Sequence, residues 1–213
     1  MSGVFVTFEG PEGAGKSTQI KLLSERLERQ SVVHALTREP GGTPLADRLR
    51  QILAESPDGS IDGRTELLLL LAARSHHVEH VIKPALAGGK MVVCDRYTDS
   101  TMCYQGAGRG IDRDTIALLN DYATSGLVPD ITFLIDVDPS VGLERLAKQE
   151  RKLDRFEREQ GGFHQRVRAA YQELAAALPE RFVVIQGDRV PAQIADEVYQ
   201  ALWRRFPTMS KDR

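Results

Sequence analysis

Apolar residues recur along this 213-residue chain in two rhythms. Short runs bounded by turn residues, Val4 to Phe8, Val32 to Leu36, Met91 to Cys94, Ile131 to Ile135 and Phe182 to Ile185, have the length of buried strands. Between them, apolar positions return every three to four residues, which predicts helices over 17–29, 45–55, 64–87, 114–125, 140–151, 163–177 and 192–205. In the first of these, Ile20, Leu22, Leu23 and Leu27 are set against Lys21, Glu25, Arg26 and Glu28. Pro44, Pro139 and Pro191 fall at or just before helix starts, where a missing N–H costs little. Turn chemistry fills the gaps at Pro40-Gly41-Gly42, Pro57-Asp58-Gly59, Gly88-Gly89, Gly108-Arg109-Gly110 and Gly161-Gly162. Strands alternating with helices predict an α/β fold with a five-stranded parallel sheet flanked by helices on both faces. No repeat or linker divides the chain, so residues 1–213 are expected to form one domain.

Composition narrows the classes. A formal net charge of −2 gives no global drive toward nucleic acid, so basic residues must act locally. Cys94 and Cys103 lack metal-ligand spacing and read as reduced thiols of a cytoplasmic protein. The longest apolar stretch, Leu67 to Ala73, is far below the ~20 residues of a membrane span. His76 and His80 share a helix face, but without a cysteine or carboxylate set they read as a solvated surface rather than a metal site.

The first strand runs directly into Gly10-Pro11-Glu12-Gly13-Ala14-Gly15-Lys16-Ser17, the spacing of a phosphate-binding loop. Its glycines let backbone N–H groups turn inward around phosphate oxygens, Lys16 reaches the β- and γ-phosphates, and the Ser17 hydroxyl takes a Mg²⁺ site. Glu12 is the unusual member, a carboxylate inside a loop built for anions. The strand Met91 to Cys94 ends in Asp95-Arg96, where ligands gather in open parallel sheets, so Asp95 is placed to orient Mg²⁺. Asp136 ends a strand of the same form and is its rival; the cation at Arg96 favours Asp95. The Thr37–Thr43 loop should face the same crevice, with Arg50 and Arg74 as further cations. The charged run Lys148 to Gln160 admits two readings, a solvated helix face or a lid that brings cations over a transferring phosphoryl group.

Together these segments resemble the bacterial thymidylate kinases. The resemblance spans nearly the whole chain: residues 10–18, the TREPGGT run at 37–43, Ala72–Arg74, Ile82–Leu86, Asp95-Arg96-Tyr97, Tyr104-Gln105-Gly106 and Leu153-Asp154-Arg155. It implies a P-loop kinase fold with a lid at about 148–162 that transfers the γ-phosphoryl of ATP to dTMP, acting as a homodimer with Mg²⁺. Gly10 to Thr18, with Lys16 and Ser17, would hold ATP, and Ser17, Glu39 and Asp95 the metal. Arg38, Glu39, Pro40, Arg50 and Arg96 would surround the dTMP phosphate, and Glu12 would lie near the sugar 3′-hydroxyl. Arg74 would bond a thymine carbonyl, with Ser100, Thr101 and Gln105 at the ring edge. Tyr104 would crowd the sugar 2′ position. Arg145 would stack on adenine, and Arg151 or Arg155 would reach the transferring phosphoryl, supplying a cation that some relatives carry in the loop where this chain has Gly13. One departure stands out: the aromatic that should stack on thymine is here Leu70.

Overall fold

A computed structural model describes residues 3–57, 59–148, 154–159 and 162–207. Strand β1 (Val4–Glu9) is buried along its whole length because it is the middle strand of the predicted sheet. With β2 (His34–Arg38), β3 (Met91–Asp95), β4 (Ile131–Asp136) and β5 (Phe182–Gln186) it forms five parallel strands in the order β2-β3-β1-β4-β5. Strands covered on both faces read as continuous apolar runs, which is why β1, β3 and β4 were visible nearly to their ends, and the apolar run of β5 was visible as well.

The helices are α1 (Lys16–Arg29), α2 (Pro44–Glu55), α3 (Gly63–His77), α4 (Lys83–Ala87), α5 (Thr98–Thr101), α6 (Arg113–Thr124), α7 (Pro139–Ala147), α8 (Phe163–Ala177) and α9 (Pro191–Arg205). Alternate side chains of β1 divide between the faces of the sheet. Val4, Val6 and Phe8 pack with Leu23 and Leu27 of α1 and Val198 and Leu202 of α9. Phe5 points the other way, into a cluster with Val92, Tyr97, Val78 and Ile82, beside a third cluster built by Tyr104, Phe163, Val167 and Tyr171.

Three elements depart from expectation. The second strand is displaced from 32–36 to His34–Arg38. It is one of the two edge strands, and half-exposed positions admit Thr37 and Arg38, which pair with Cys94 and Asp95. The single helix expected over 64–87 is interrupted at Val78–Ile82 by a wider turn, with Lys83 N bonding Val78 O. Pro84 has no N–H to continue the ordinary ladder, and one extra residue is absorbed there. The segment from Thr98 through the wide helical turns of Met102–Gly108 was not expected to be helical at all. Its threonines and glycines are poor helix formers, and it is held by tertiary bonds such as Arg181 to Asp99 at 2.6 Å and Arg74 to Thr101 at 2.8 Å. The helix predicted over 140–151 is seen as α7, capped at Lys148, and residues 149–151 of that prediction, Arg151 included, lie outside the described residues.

Candidate active site

The carboxyl ends of β1, β2 and β3 open on one cavity of about 690 Å³, lined by residues 12–19 together with the loops that follow β2, β3 and β5. At its floor the phosphate-binding loop turns on glycines in the left-handed region. Gly13, at φ 68°, lies so close to α7 that a Cβ there would stand 2.1 Å from the Gly142 carbonyl oxygen. Lys16 is buried and its Nζ donates to the Gly10 and Pro11 carbonyls at 3.0 and 2.9 Å. Burial and the neighbouring Arg96 pull its pKa down to about 8, against Glu12, Asp95 and Glu9.

Ser17 Oγ donates to Asp95 Oδ2 at 2.8 Å, which brings together two of the three residues expected around a metal. A hydroxyl and a carboxylate are the hard oxygen donors that Mg²⁺ takes. Asp136, the rival for this role, is instead bound by Arg168 through Nε at 2.8 Å and Nη2 at 3.0 Å, and by Gln172. Glu39 does not join Ser17 and Asp95. One of its oxygens accepts Arg74 Nε at 2.7 Å and the other faces His77 Nδ1 at 2.9 Å.

Arg38, Arg50, Arg74 and Arg96 border the same space. Arg96 stands at φ 68°, a region a non-glycine residue rarely enters. Its Nη2 donates to Glu12 Oε1 at 2.8 Å, and its guanidinium lies 4.9 Å from the centre of the Tyr104 ring. Tyr104 also donates its hydroxyl to Glu12 Oε1 at 2.9 Å. Burial alone would raise the Glu12 pKa, but Arg96, Lys16 and the Tyr104 hydroxyl outweigh it and hold the carboxyl at about 2. Arg38 and Arg50 both donate to the Pro40 carbonyl at 3.1 Å. Burial lowers the Arg50 pKa, and the repulsion of Arg38 and Arg96 adds to it. These guanidinium groups are therefore crowded in a way that an anion between them would relieve.

Deeper in the cavity, Arg74 uses four of the five N–H donors of a guanidinium. They go to Glu39 Oε2, Thr101 Oγ1, Asn120 Oδ1 and the Tyr97 carbonyl at 2.5–3.0 Å. Leu53, Leu70 and Phe156 line the same cavity. Gln105 lines it as well, its amide nitrogen donating to Glu66 at 2.8 Å, and Ser100 donates to Glu9. At the opposite end Arg145, on α7, bonds the Gly187 carbonyl at 3.1 Å and the Gly13 carbonyl at 3.4 Å, near Arg189, Pro191 and Ile194.

Arg155 is not brought to the loop. It is buried, donating to the Ile61 carbonyl at 2.7 Å and pairing with Glu66 at 3.2 Å, because Glu66 is a fully buried carboxylate that needs cations. Arg151, its alternative, lies outside the described residues. His76 and His80 stack at 4.0 Å, His80 on the surface, and no metal-binding cluster occurs among the described residues. His77, in contrast, is fully buried and links Thr37 to Glu39. Sequence reasoning missed His77, Asn120, Tyr171 and Glu9. Glu9 carried a signal, since like Asp95 and Asp136 it is an acid at the carboxyl end of an apolar strand.

A phosphate-binding loop at the end of the central strand, facing a cavity ringed by arginines, defines an ATP-dependent nucleoside monophosphate kinase of the P-loop kinase fold. The family model described as thymidylate kinase matches residues 8–198. The thymidylate kinase of Citrifermentans bemidjiense is 50% identical over 214 residues, covering 98% of this chain and 95% of that protein. That of Magnetococcus marinus is 45% identical over 206 residues, covering 97% and 98%. A crystal structure of thymidylate kinase from Ehrlichia chaffeensis superposes with a TM-score of 0.76 at 38% identity, covering 95% of this chain and 99% of that one. This chain belongs to the thymidylate kinase family.

Proposed function

We infer that the cavity carries out the transfer of the γ-phosphoryl group of ATP to the phosphate of dTMP, giving dTDP and ADP. The observation that supports it most is the gathering of Arg38, Arg50, Arg96 and Lys16 around one cavity at the phosphate-binding loop. The nucleophile is already an anionic phosphate oxygen, so no strong base is needed. The obstacle is the approach of two anions, about 4 kcal/mol per pair of unit charges at 4 Å in a partly polar site. Arg96 with Arg38 and Arg50 would hold the acceptor phosphate, and the loop amides with Lys16 would hold the donor. Arg145 would lie against the adenine. Ser17 and Asp95 would hold Mg²⁺, which when bound would draw charge from the β- and γ-phosphates, and Glu39 would instead fix the Arg74 side chain. The lid's contribution of Arg151 or Arg155 to the transferring group belongs to the same proposal; for Arg155 it requires release from Glu66.

The one N–H left on Arg74 suits a pyrimidine carbonyl. At ring position 4 thymine and uracil both present a carbonyl and differ only by the methyl at position 5, whereas cytosine presents there an amino donor against a donor that four bonds hold in place. A coupled ADP-release assay should therefore rank dTMP above dUMP by about 10- to 200-fold, and dCMP lower than dUMP by at least a further order of magnitude. Preference for any acceptor but dTMP would overturn this reading.

The protein would work in the cytoplasm as a homodimer through α3 and α6. Leu118 and Tyr122, on one face of α6, are 70% and 85% exposed, and Leu68 on the adjoining α3 is 53% exposed. Tyr122→Glu should convert a dimer into a monomer in sedimentation at micromolar concentration. A wild-type chain that sediments as a monomer would reject the dimer.

A further inference from the structure

Glu9 is fully buried beneath the phosphate-binding loop and takes no direct part in the reaction derived above. Its Oε1 accepts the backbone N–H groups of Tyr97 at 2.7 Å and Ser100 at 3.3 Å. Its Oε2 accepts the hydroxyls of Ser100 at 2.6 Å and Tyr171 at 2.7 Å. The backbone ladder between β1 and β3 ends where Arg96 N bonds Phe8 O, and the Glu9 side chain takes up the next amide, that of Tyr97. Arg96 is thus pinned on both sides of its left-handed backbone.

The two hydroxyls that Glu9 engages are the same two that Arg96 touches. Arg96 Nη1 donates to Ser100 Oγ and to Tyr171 Oη, each at 3.3 Å, and those oxygens are 2.8 Å apart. An ionised carboxylate can only accept, so it draws both hydroxyl protons toward itself and leaves oxygen lone pairs facing the guanidinium. A neutral carboxyl brings a proton of its own into the triangle and turns a hydroxyl proton toward Arg96.

We infer that Glu9 is a positioning residue whose ionised form sets Ser100 and Tyr171 to hold Arg96 on the acceptor phosphate, and whose protonation loosens that hold. The inference rests on the placement of Arg96 at the phosphate of the monophosphate substrate. Burial, then the Asp99 carboxylate, push the Glu9 pKa up to about 7, against Arg96 and the Ser100 and Tyr171 hydrogen bonds. The Glu9 charge is felt in turn by the groups packed around it: it acts to raise the pKa values of Lys16 at the start of α1 and Arg181 ahead of β5, and those of the neutral thiols Cys94 on β3 and Cys103 after α5. Arg181 pairs with Asp99 through both nitrogens and blunts that repulsion. The grip on Arg96 is therefore full above neutrality and weakens as pH falls through 7.

The test compares wild type, Glu9→Gln, Tyr171→Phe and Arg96→Ala with dTMP varied at saturating ATP across the pH range. In Glu9→Gln the KM for dTMP should rise about tenfold in alkaline buffer, with kcat and the KM for ATP changed by less than about threefold. The wild-type to Glu9→Gln ratio of kcat/KM should fall toward unity as pH drops below 7, and ionisation of dTMP itself cancels in that ratio. If Glu9→Gln does not fold, as judged by circular dichroism, Tyr171→Phe carries the test. It removes one of the two hydroxyls and should raise the KM for dTMP about threefold while leaving that for ATP unchanged. A ratio that does not vary with pH, or variants that raise both KM values alike, would overturn the inference. Undiminished dTMP kinetics in Arg96→Ala would instead overturn the placement of Arg96 on which it rests.

Discussion

Arg96→Ala is expected to lower kcat/KM for dTMP by about three orders of magnitude while the KM for ATP changes by less than about threefold. Two losses combine. The acceptor phosphate loses the cation nearest the phosphate-binding loop, and Glu12 loses the partner that, with Lys16, holds its carboxyl at about 2. Removing one member of a partly buried, hydrogen-bonded charge pair costs about 2–5 kcal/mol, and each 1.4 kcal/mol is tenfold in rate. Arg96→Lys keeps the charge but not the fork that reaches Gly10, Ser100, Tyr171 and Glu12, and about a hundredfold loss is expected there. Neither change relieves the backbone at φ 68°, since alanine and lysine both carry a Cβ. Steady-state kinetics at saturating ATP measures both, and near-native values would remove Arg96 from the site.

The second large effect concerns Gly13. Its Cβ would meet the Gly142 carbonyl oxygen at 2.1 Å and the carbonyl carbon at 2.6 Å, contacts between two backbones that no rotamer change relieves. Gly13→Ala must therefore push the loop away from α7. A shift of that kind misplaces the amides around the donor phosphates, so the KM for ATP should rise by at least about a hundredfold. About 2–4 kcal/mol of lost stability corresponds to a drop in Tm of roughly 5–15 °C for a chain of this size. Gly142→Ala supplies a control. In an ordinary helix that change stabilises by about 1 kcal/mol, yet here its Cβ would lie 2.1 Å from the Glu12 carbonyl oxygen, so it too should destabilise. Calorimetry and ATP titration decide it, and a more stable Gly142→Ala protein would contradict the contact. The same crowding gives Gly13 its meaning, because an arginine at this position has no room.

The sheet was readable in the sequence because β1, β3 and β4 are buried on both faces and read as apolar runs up to their last residue, and edge strand β5, though Val184 is exposed, is still the apolar run Phe182 to Ile185. The phosphate-binding loop was readable because its chemistry fixes residue types at fixed spacing. Edge strand β2 was misplaced by two residues for the opposite reason, since half-exposed positions tolerate Thr37 and Arg38. Between Asp95 and Asp136 the sequence could only lean. What separates them is that Ser17 reaches one and Arg168 the other, and neither pairing is encoded by spacing. His77, Asn120 and Tyr171 were silent because their importance lies in what they hold: each is a buried polar group bonded to a partner at least 38 residues distant along the chain. The cation expected in Arg155 shows the reverse case. Its type suited a phosphate, and its location is decided by Glu66, a carboxylate on α3 that periodicity alone reads as one more helix residue.

The strand order has a wider consequence. Arg38 and Glu39 lie at the end of β2 and Asp95 and Arg96 at the end of β3, on one side of β1, whereas Arg145 follows β4 and Gly187 and Arg189 follow β5, on the other. On the proposed function the molecule would be divided along its central strand into an acceptor half and a donor half, joined by the loop after β1 and by Asp95, which Ser17 reaches from α1. Changes of taste for one substrate can accumulate in one half while the other stays intact, and the architecture is modular for evolution and for the protein engineer alike.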